Sequence, residues 1–416
     1  MERIIRDEIM NHLVLNKLIV NEQHGFVYRK NCTTNLLETI DLVTKALADG
    51  YNIDELLLDF AKAFDSVLLL RLLLKLDMMG IRNNLLAWCK SFLSDRYQRV
   101  IIGEYMSEWK LIDSGVPQGS VLGPLFFVVF INDLLIRIKN VGKLFADDTK
   151  LLAIINSECD QASLQSDLNI LQEWTNDWQI KFNALKCKVM HFGKTNTKYK
   201  YKIDNVVLEE VSVEKDLGIF ISNNLDWSHH VNYAINKANK QLGRIRHAFQ
   251  YIDKYIISLL YKSLIRPHLE YGAVIWSPQW IGEIDKLESV QHRATKIHSL
   301  VGYSQEERNC ILKLPSLVDR RRRGDLIQMF KLVNNFDSID LHNPIKFYNA
   351  DVRTRGHSLK ILRETVNKQN NCKFNTIRHN FFTNRVARDW NNLTQEIVES
   401  ANVNQFKNRI DKHFKF

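Results

Sequence analysis

The spacing of apolar residues divides the chain into a mixed first part and a helical second part. Up to about residue 225, apolar runs of strand length alternate with helical patterns. Beyond it, the spacing predicts amphipathic helices over 229–250, 253–264 and 283–300. Glycine and proline are scarce, at 16 and 6 residues, which favours helix. We therefore expect an α/β (α+β) fold with breaks near residues 225 and 305.

The mixed part can be predicted element by element. Strands are expected over 55–60, 187–192, 199–208 and 217–221, with hairpins over 97–113 and 143–152. Helices are expected over 1–20, 33–50, 67–79, 83–93 and 121–138, and around 164–174.

Two adjacent acids occupy the tip of the predicted 143–152 hairpin. Asp147 and Asp148 repel each other there, and a divalent cation removes the conflict, because hard cations bind carboxylate oxygens together with substrate phosphates. Asp59 ends the predicted strand 55–60, so pairing of that strand with the hairpin brings three carboxylates to one sheet edge. Two ions held there suit in-line phosphoryl transfer. The alternative is a plain Asp-Asp turn without chemistry.

Charge is unevenly distributed along the chain. The net charge is +10, and residues 301–416 contribute +9 of it through 21 Lys and Arg against 12 Asp and Glu. A basic last quarter predicts contact with a phosphate backbone. We assign the run Arg320–Arg323 to nucleic-acid contact in preference to a solvated face or a nuclear signal.

Cysteine usage and hydropathy point to an intracellular protein, with nucleus or cytoplasm left open. The scattered cysteines show no CxxC spacing and are predicted to be reduced thiols. They are Cys32, Cys89, Cys159, Cys187, Cys310 and Cys372. The most apolar stretch, 121–135, is too short and interrupted to span a bilayer, so no membrane partner is expected.

Several motifs follow one another in a specific order. They are 23–26 (QHGF), 59–65 (DFAKAFD), 115–124 (GVPQGSVLGP), 145–148 (FADD), 183–190 (NALKCKVM), 215–219 (KDLGI) and 271–276 (YGAVIW). In this order and with these gaps they resemble the fingers, polymerase, post-catalytic, primer-grip and post-palm motifs of one family. That family is the reverse transcriptases of non-LTR (LINE-type, jockey-like) retrotransposons. The resemblance covers most of the chain.

The resemblance implies a role for each matching residue. Asp59, Asp147, Asp148 and the backbone carbonyl of Phe60 would hold two Mg²⁺ ions, with Mn²⁺ as an alternative. Lys186 would meet the triphosphate or protonate the leaving pyrophosphate. The nucleotide-binding residues would be Phe60, Ala61, Phe64, Gln118 and Gly119, with the Phe64 ring excluding a 2′-hydroxyl. The primer-contacting residues would be Phe145, Ala146, Leu217 and Gly218.

The implied function is RNA-directed DNA polymerisation from an RNA template, a DNA primer and deoxynucleoside triphosphates. The implied architecture is a right-hand palm with partial fingers over 1–225, a helical thumb over 226–305 and a basic helical region over 306–416. The family's endonuclease domain and first fingers segment have no match, so a truncated element is expected. Two alternatives are a weak or inactive nucleic-acid-binding remnant and a splicing cofactor of the group II intron maturase type.

Three local predictions concern residues outside these motif roles. Asp65 is predicted to cap the helix that follows it. His229 and His230 are predicted to be a solvated helix start in preference to a metal site. Trp390 is predicted to pack in a core in preference to stacking on bases.

Overall fold

A computed structural model describes residues 1–348, 356–365 and 373–415 of the chain, without the side chains of 373–375. The chain divides into two compact units, Met1–Asn35 with Tyr51–Val211, and Leu36–Gly50 with Ser212–Phe416. The three-part division at 225 and 305 stays a prediction. Cys372 lies outside the described residues, and the other five cysteines are free thiols.

The first unit contains the sheet. Its helices are α1 (Glu2–Leu15), the start of α2 (Cys32–Ala48), α3 (Leu69–Met78), α4 (Asn83–Leu93), α5 (Gly123–Ile131) and α6 (Glu158–Trp178). Its strands are β1 (Asn52–Leu58), β2 (Arg96–Gln98), β3 (Ile101–Ile102), β4 (Tyr105–Met106), β5 (Lys110–Ile112), β6 (Val141–Phe145), β7 (Asp148–Ile155), β8 (Lys188–Phe192), β9 (Lys202–Ile203), β10 (Val206–Val207) and β11 (Glu209–Glu210).

The central strand of the main sheet is β1. The strand order is β11-β8-β1-β7-β6, and β1 runs antiparallel to both neighbours. Most residues of β1 are buried on both faces, as expected for a central strand. Helix α5 contributes an apolar core segment in which every residue except Pro124 is buried. The sheet therefore fixes the residues that follow β1 and those that join β6 to β7.

Several predicted elements differ from the structure in extent or type. The helix predicted over 121–138 ends at Ile131, and the Asn132 side chain instead accepts from Val20 N–H (3.0 Å) and donates to the Leu18 carbonyl (2.7 Å). The strand predicted over 199–208 is the hairpin β9–β10, because two residues at its centre adopt left-handed conformations. The strand predicted over 217–221 starts only at residue 219. The 97–113 hairpin is confirmed.

The second unit is mainly helical. Its strands are β12 (Val213–Asp216) and β13 (Ile219–Ser222). Its helices, after the body of α2, are α7 (Ser228–Ala248), α8 (Lys254–Leu260), α9 (Arg266–Glu270), α10 (Ala273–Trp276), α11 (Ile281–Thr295), α12 (Gln305–Ile311), α13 (Leu317–Val333), α14 (Lys373–His379), α15 (Phe382–Asn391), α16 (Gln395–Val398) and α17 (Val403–Phe414). Trp390 is fully buried near Phe406, with ring centroids 6.2 Å apart, which confirms its core position.

A buried arginine joins α14 to α2 within the second unit. Arg378 is fully buried, and its Nη1 donates to Asp41 Oδ1 (2.7 Å) and Thr44 Oγ1 (3.0 Å). Its Nε donates to Glu364 Oε2 at 2.7 Å. Burial raises the pKa of the Asp41 carboxyl, and the positive charge of Arg378 opposes that rise. The ion pair thus offsets the cost of burying Asp41.

Candidate active site

Asp59 lies directly after β1, where the central strand leaves the sheet. Its carbonyl accepts a hydrogen bond from Asn183 N–H at 2.8 Å. The next residue, Phe60, is buried and stacks on Phe182 with ring centroids 4.5 Å apart. These contacts fix the backbone that carries the Asp59 carboxylate.

The acidic turn lies beside Asp59 at the same end of the sheet. In the β6–β7 hairpin Phe145 pairs with Asp148, and in the β1–β7 pair Leu58 lies opposite Thr149. The predicted pairing of the two segments is therefore confirmed. Ala146 adopts a left-handed conformation (φ 52°), which closes the turn immediately before the first acid.

The two half-buried carboxylates influence each other. Burial raises the pKa of Asp147 above its usual range, and the negative charge of Asp59 raises it further. Asp59 Oδ2 is shielded from solvent, and none of the residues that the structure describes donates a hydrogen bond to it. Lys186 Nζ lies 3.4 Å from this oxygen, but the lysine side chain is 68% exposed, so solvent weakens the ion pair. Lys186 therefore neutralises only part of the negative charge of Asp59 and Asp147 at this end of the sheet.

This arrangement fits a divalent cation. Within the described ranges, no set of three or more His, Cys, Asp or Glu side chains forms a ready-made metal site, and the Asp148 side chain is exposed. Mg²⁺ commonly takes only one or two carboxylates and completes its shell with water and substrate phosphates. Asp59, Asp147 and the Phe60 carbonyl match that requirement.

The segment 22–25 braces the acidic turn. It pairs with β6 through a parallel bridge between Gln23 and Leu144. Gln23 Oε1 accepts from Gly25 N–H (2.7 Å) and from Ala146 N–H (3.0 Å). Sequence reasoning assigned this motif to the fingers and missed the brace. Gln23 and Ala146 lie 123 residues apart in the sequence, and a contact over that distance leaves no periodic pattern from which it could be predicted.

Gly25→Ala is expected to destabilise the first unit. A Cβ at Gly25 would lie 2.3 Å from Ala146 N and 2.9 Å from the Phe145 carbonyl carbon, and backbone cannot yield as a side chain can. We expect the free energy of unfolding to fall by about 2–3 kcal/mol in urea titrations followed by circular dichroism. The control is Gly243→Ala on α7, where no described atom lies within 4 Å of the added Cβ. The free energy of unfolding of this variant should equal that of the wild type or rise slightly. Equal stability of both variants would contradict the bracing role.

The glycine-rich loop rests on the segment that follows Asp59. Gly115 has φ +88°, and a Cβ there would lie 2.8 Å from Asp65 Cα. Gln118 Nε2 donates to Asp65 Oδ1 at 2.8 Å. The prediction that Asp65 caps the next helix is wrong, because α3 begins at Leu69 with Leu68 as its N-cap. Asp65 instead orients the side chain of Gln118.

The other predicted nucleotide-site residues lie on these same loops. Phe64 is half-buried, and its ring stacks on Phe127 with centroids 4.5 Å apart. Ala61 is half-buried, and its N–H donates to the Lys181 carbonyl at 2.8 Å. Gly119 is exposed with φ +82° and open space around it.

Comparison with known proteins identifies the family. The family described as reverse transcriptase (RNA-dependent DNA polymerase) matches residues 1–234, more than half of the chain. The chain belongs to this family. It is 27% identical over 371 residues to the RNA-directed DNA polymerase from mobile element jockey of Drosophila melanogaster, covering 85% of this chain and 40% of the relative.

Other similar proteins are more distant. The probable RNA-directed DNA polymerase from transposon X-element of Drosophila melanogaster is 26% identical, over 82% of this chain and 37% of that protein. The chain thus spans about two fifths of the length of these curated relatives. A telomerase structure from Candida albicans, with a fragment of telomeric RNA, shows 12% identity and a TM-score of 0.43 over 74% of this chain and 58% of the telomerase chain.

The 215–219 motif forms a tight turn in the second unit. Leu217 and Gly218 join β12 to β13 with φ of 43° and 90°. Tyr271 Oη donates to the Leu217 carbonyl at 2.9 Å, and a Cβ on Gly218 would lie 3.0 Å from the Tyr271 ring. Two of the recognised motifs, 215–219 and 271–276, therefore contact each other.

The arginine run Arg320–Arg323 is engaged by carboxylates inside the second unit, so the structure does not support its predicted contact with nucleic acid. Arg321 is buried, and the three other guanidinium groups each bind one carboxylate through two nitrogens at 2.5–2.9 Å. The pairs are Arg320–Glu270, Arg322–Asp389 and Arg323–Asp411. The run joins α13 to α9, α15 and α17.

The two histidines that begin α7 differ in their surroundings. His229 is exposed, as predicted, but His230 is buried and accepts from Phe220 N–H at 3.1 Å. Burial lowers the pKa of His230 to about 4, so the ring is neutral at physiological pH. The prediction of a solvated pair is therefore wrong for His230.

Among the helices that the structure describes, none is both long and apolar enough to cross a membrane.

Proposed function

We propose that this chain catalyses RNA-directed DNA synthesis by metal-assisted nucleotidyl transfer, as a retrotransposon reverse transcriptase. The observation that carries the proposal is the pair Asp59 and Asp147. Asp59 follows the end of β1, and Asp147 immediately precedes the neighbouring strand β7. Both are half-buried, and burial together with the charge of Asp59 raises the pKa of Asp147. The names of the relatives, RNA-directed DNA polymerases of mobile elements, support the same activity.

In this proposal the chain holds the reacting groups in line. Asp59, Asp147 and the Phe60 carbonyl hold two Mg²⁺ or Mn²⁺ ions, with Asp148 beside them. Bound cations would lower the pKa of the primer 3′-hydroxyl and neutralise charge on the leaving group. The primer 3′-hydroxyl gives its proton to water, its oxygen forms a bond to the α-phosphorus of the deoxynucleoside triphosphate, and the bond from that phosphorus to pyrophosphate breaks. Lys186, being exposed, can turn from Asp59 toward the triphosphate.

The nucleotide would be positioned by the two loops that meet at Asp65. Gln118, oriented by its 2.8 Å hydrogen bond to Asp65, would line the site with Gly119 and Ala61. Phe64 would pack under the sugar. Phe145, Ala146, Leu217 and Gly218 would contact the primer.

A cationic helix in the second unit is suited to hold template and primer. Helix α7 contains no acidic residue, and Lys237, Lys240 and Arg244 are exposed on successive turns. Lys215 Nζ and Lys237 Nζ lie 5.5 and 4.8 Å from the centre of the Tyr233 ring. Clustered cations beside an aromatic ring suit a phosphate backbone. We therefore assign nucleic-acid contact to α7 in place of Arg320–Arg323.

Primer extension together with a binding assay tests the proposal. A fluorescent DNA primer on an RNA template is incubated with the chain, Mg²⁺ and all four deoxynucleoside triphosphates. Extension, stopped by a chelator, is the expected result. Intact binding by fluorescence anisotropy without extension would favour the inactive nucleic-acid-binding remnant. Binding that requires one structured intron RNA would favour the maturase-type alternative.

Phe64→Ala is expected to weaken discrimination against ribonucleotides. Loss of the ring opens space for a 2′-hydroxyl, so the ratio of ribo- to deoxynucleotide incorporation should rise roughly 10- to 100-fold. Single-nucleotide extension with each triphosphate measures this ratio. Phe64→Tyr keeps the ring and serves as the matched control, with discrimination near wild type. An unchanged ratio in Phe64→Ala would refute the steric role.

A further inference from the structure

Strands β1 and β8 separate just before Asp59. The β1–β8 pairing ends at Leu57 and Lys188. The β1–β7 pairing ends at Leu58, one residue before Asp59. The backbone N–H of Asp59 therefore has no acceptor within the sheet. An unpaired N–H in a partly buried position costs free energy, so an acceptor is required from another part of the chain.

The thiol of Cys187 provides that acceptor. Asp59 N–H donates to Cys187 Sγ at 3.4 Å, and the S–H donates to the Asp59 carbonyl oxygen at 3.8 Å. A thiol can both accept and donate, although each bond is weak. Cys187 directly precedes β8 and is fully buried. Its side chain therefore contacts both backbone groups of Asp59 at the point where the two strands separate.

The turn before Cys187 fixes the position of this thiol. The Asn183 carbonyl accepts from Lys186 N–H at 2.8 Å and from Cys187 N–H at 3.1 Å. The N–H of Asn183 donates to the Asp59 carbonyl at 2.8 Å. The backbone of Asp59 is therefore held by the segment 183–187 alone on this side, and the direction of its carboxylate depends on that segment.

A nucleophilic or redox role does not suit the Cys187 thiol. Reactive cysteines are partly exposed and lie in electropositive surroundings. Cys187 is fully buried, and the charge that acts on it is the negative charge of Asp59. Its contribution is therefore to hold the neighbouring backbone in place.

We propose that Cys187 is a positioning residue for the metal ligand Asp59, an inference that rests on the proposed function. Cys187 holds the backbone from which the carboxylate extends, and it does not itself touch the metal, the primer or the triphosphate. Groups that orient a metal ligand from behind typically contribute about 10- to 100-fold to metal affinity or activity.

Two substitutions separate hydrogen bonding from packing. Cys187→Ser keeps a donor and an acceptor, whereas Cys187→Val fills the space with neither. The affinity for Mn²⁺ should fall at least about 10-fold in Cys187→Val and stay within about threefold of wild type in Cys187→Ser. Electron paramagnetic resonance measures this affinity in a complex with an RNA template, a chain-terminated DNA primer and the next deoxynucleoside triphosphate. Single-turnover extension over a Mg²⁺ titration should rank the variants in the same order.

The matched control is Cys89→Val. Cys89 is a second fully buried cysteine of the first unit and lies on α4, so the same change there tests packing alone. Its Mn²⁺ affinity should equal that of the wild type. Circular dichroism verifies folding, and Cys187→Ala, which adds no volume, carries the same expectation if Cys187→Val does not fold.

Hydrogen–deuterium exchange of the protein alone gives a readout that needs no metal. The amide of Asp59 should exchange faster in Cys187→Val than in the wild type, because its acceptor is lost. In Cys187→Ser the exchange should stay close to wild type. Mass spectrometry of the peptide that contains Asp59 follows both rates.

Two results would overturn the proposal. One is wild-type Mn²⁺ affinity in Cys187→Val. The other is a Cys187→Ser variant that binds Mn²⁺ as weakly as Cys187→Val, which would assign the effect to packing. A wild type that binds Mn²⁺ but extends no primer would refute the proposed function, and the Mn²⁺ affinities of the variants would still decide the role of Cys187. A wild type that binds no Mn²⁺ would refute both.

Discussion

Asp147→Asn is expected to lower the rate of primer extension by about 10³-fold or more, while primer–template binding stays near wild type. The substitution keeps the shape of the side chain and removes its charge. The charge of Asp59 acts on Asp147 at this partly buried sheet edge, so the substitution removes one of the two proposed cation ligands. Single-turnover incorporation of one nucleotide measures the chemical step, and fluorescence anisotropy measures binding.

The control for this variant is Asp177→Asn. Asp177 is an exposed acid on α6, so the net charge of the chain changes equally without touching the sheet edge. Its extension rate should stay within about twofold of wild type. Asp148→Asn should lose less activity than Asp147→Asn, because Asp148 is exposed whereas Asp147 is half-buried. Wild-type extension by Asp147→Asn would refute the metal assignment.

Arg378→Met is expected to destabilise the second unit by about 3–5 kcal/mol. The change keeps a long apolar side chain but leaves the carboxylate of fully buried Asp41 without its cation. Glu364 also loses its 2.7 Å contact with Arg378 Nε. The free energy of unfolding from guanidinium chloride titrations, followed by tryptophan fluorescence, gives the size of the effect.

A second substitution separates lost charge pairing from lost packing. Arg378→Met combined with Asp41→Asn removes both charges, and the asparagine oxygen can still accept from Asn343 N–H as Asp41 Oδ2 does at 2.8 Å. The double variant should regain most of the stability that the single variant loses. A double variant no more stable than Arg378→Met would show that packing, and not the buried charge, sets the cost.

Local patterns predicted the elements of the candidate site well. A strand ending in Asp59 and a hairpin tipped by Asp147 were both visible as apolar runs closed by acids, and the structure pairs them. Most helices were also located, because their periodicity is local. Hairpin turns were harder to predict from the sequence. The β9–β10 turn, for example, requires left-handed backbone conformations at Asp204 and Asn205, which lie inside a run of residues with a strand-like pattern.

Long-range pairing explains what the sequence did not predict. The sequence around Arg320–Arg323 does not indicate that Glu270, Asp389 and Asp411 form ion pairs with three of these arginines, because the acids are distant in the chain. The burial of His230 likewise depends on packing, and the contact of Gln23 with Ala146 depends on a sheet edge. A charge run therefore predicts a nucleic-acid surface only where no carboxylates pack against it.

Counting bound Mn²⁺ would provide direct evidence on the proposed metal site. The complex contains the chain, an RNA template, a chain-terminated DNA primer and the next deoxynucleoside triphosphate, so that no turnover occurs. Electron paramagnetic resonance, corrected for nucleic acid and triphosphate alone, should give about two ions per wild-type complex. Asp59→Asn and Asp147→Asn should each bind fewer ions or bind them at least about 10-fold more weakly. The same number of ions at the same affinity in all three proteins would contradict the proposal that these two carboxylates hold the catalytic metals.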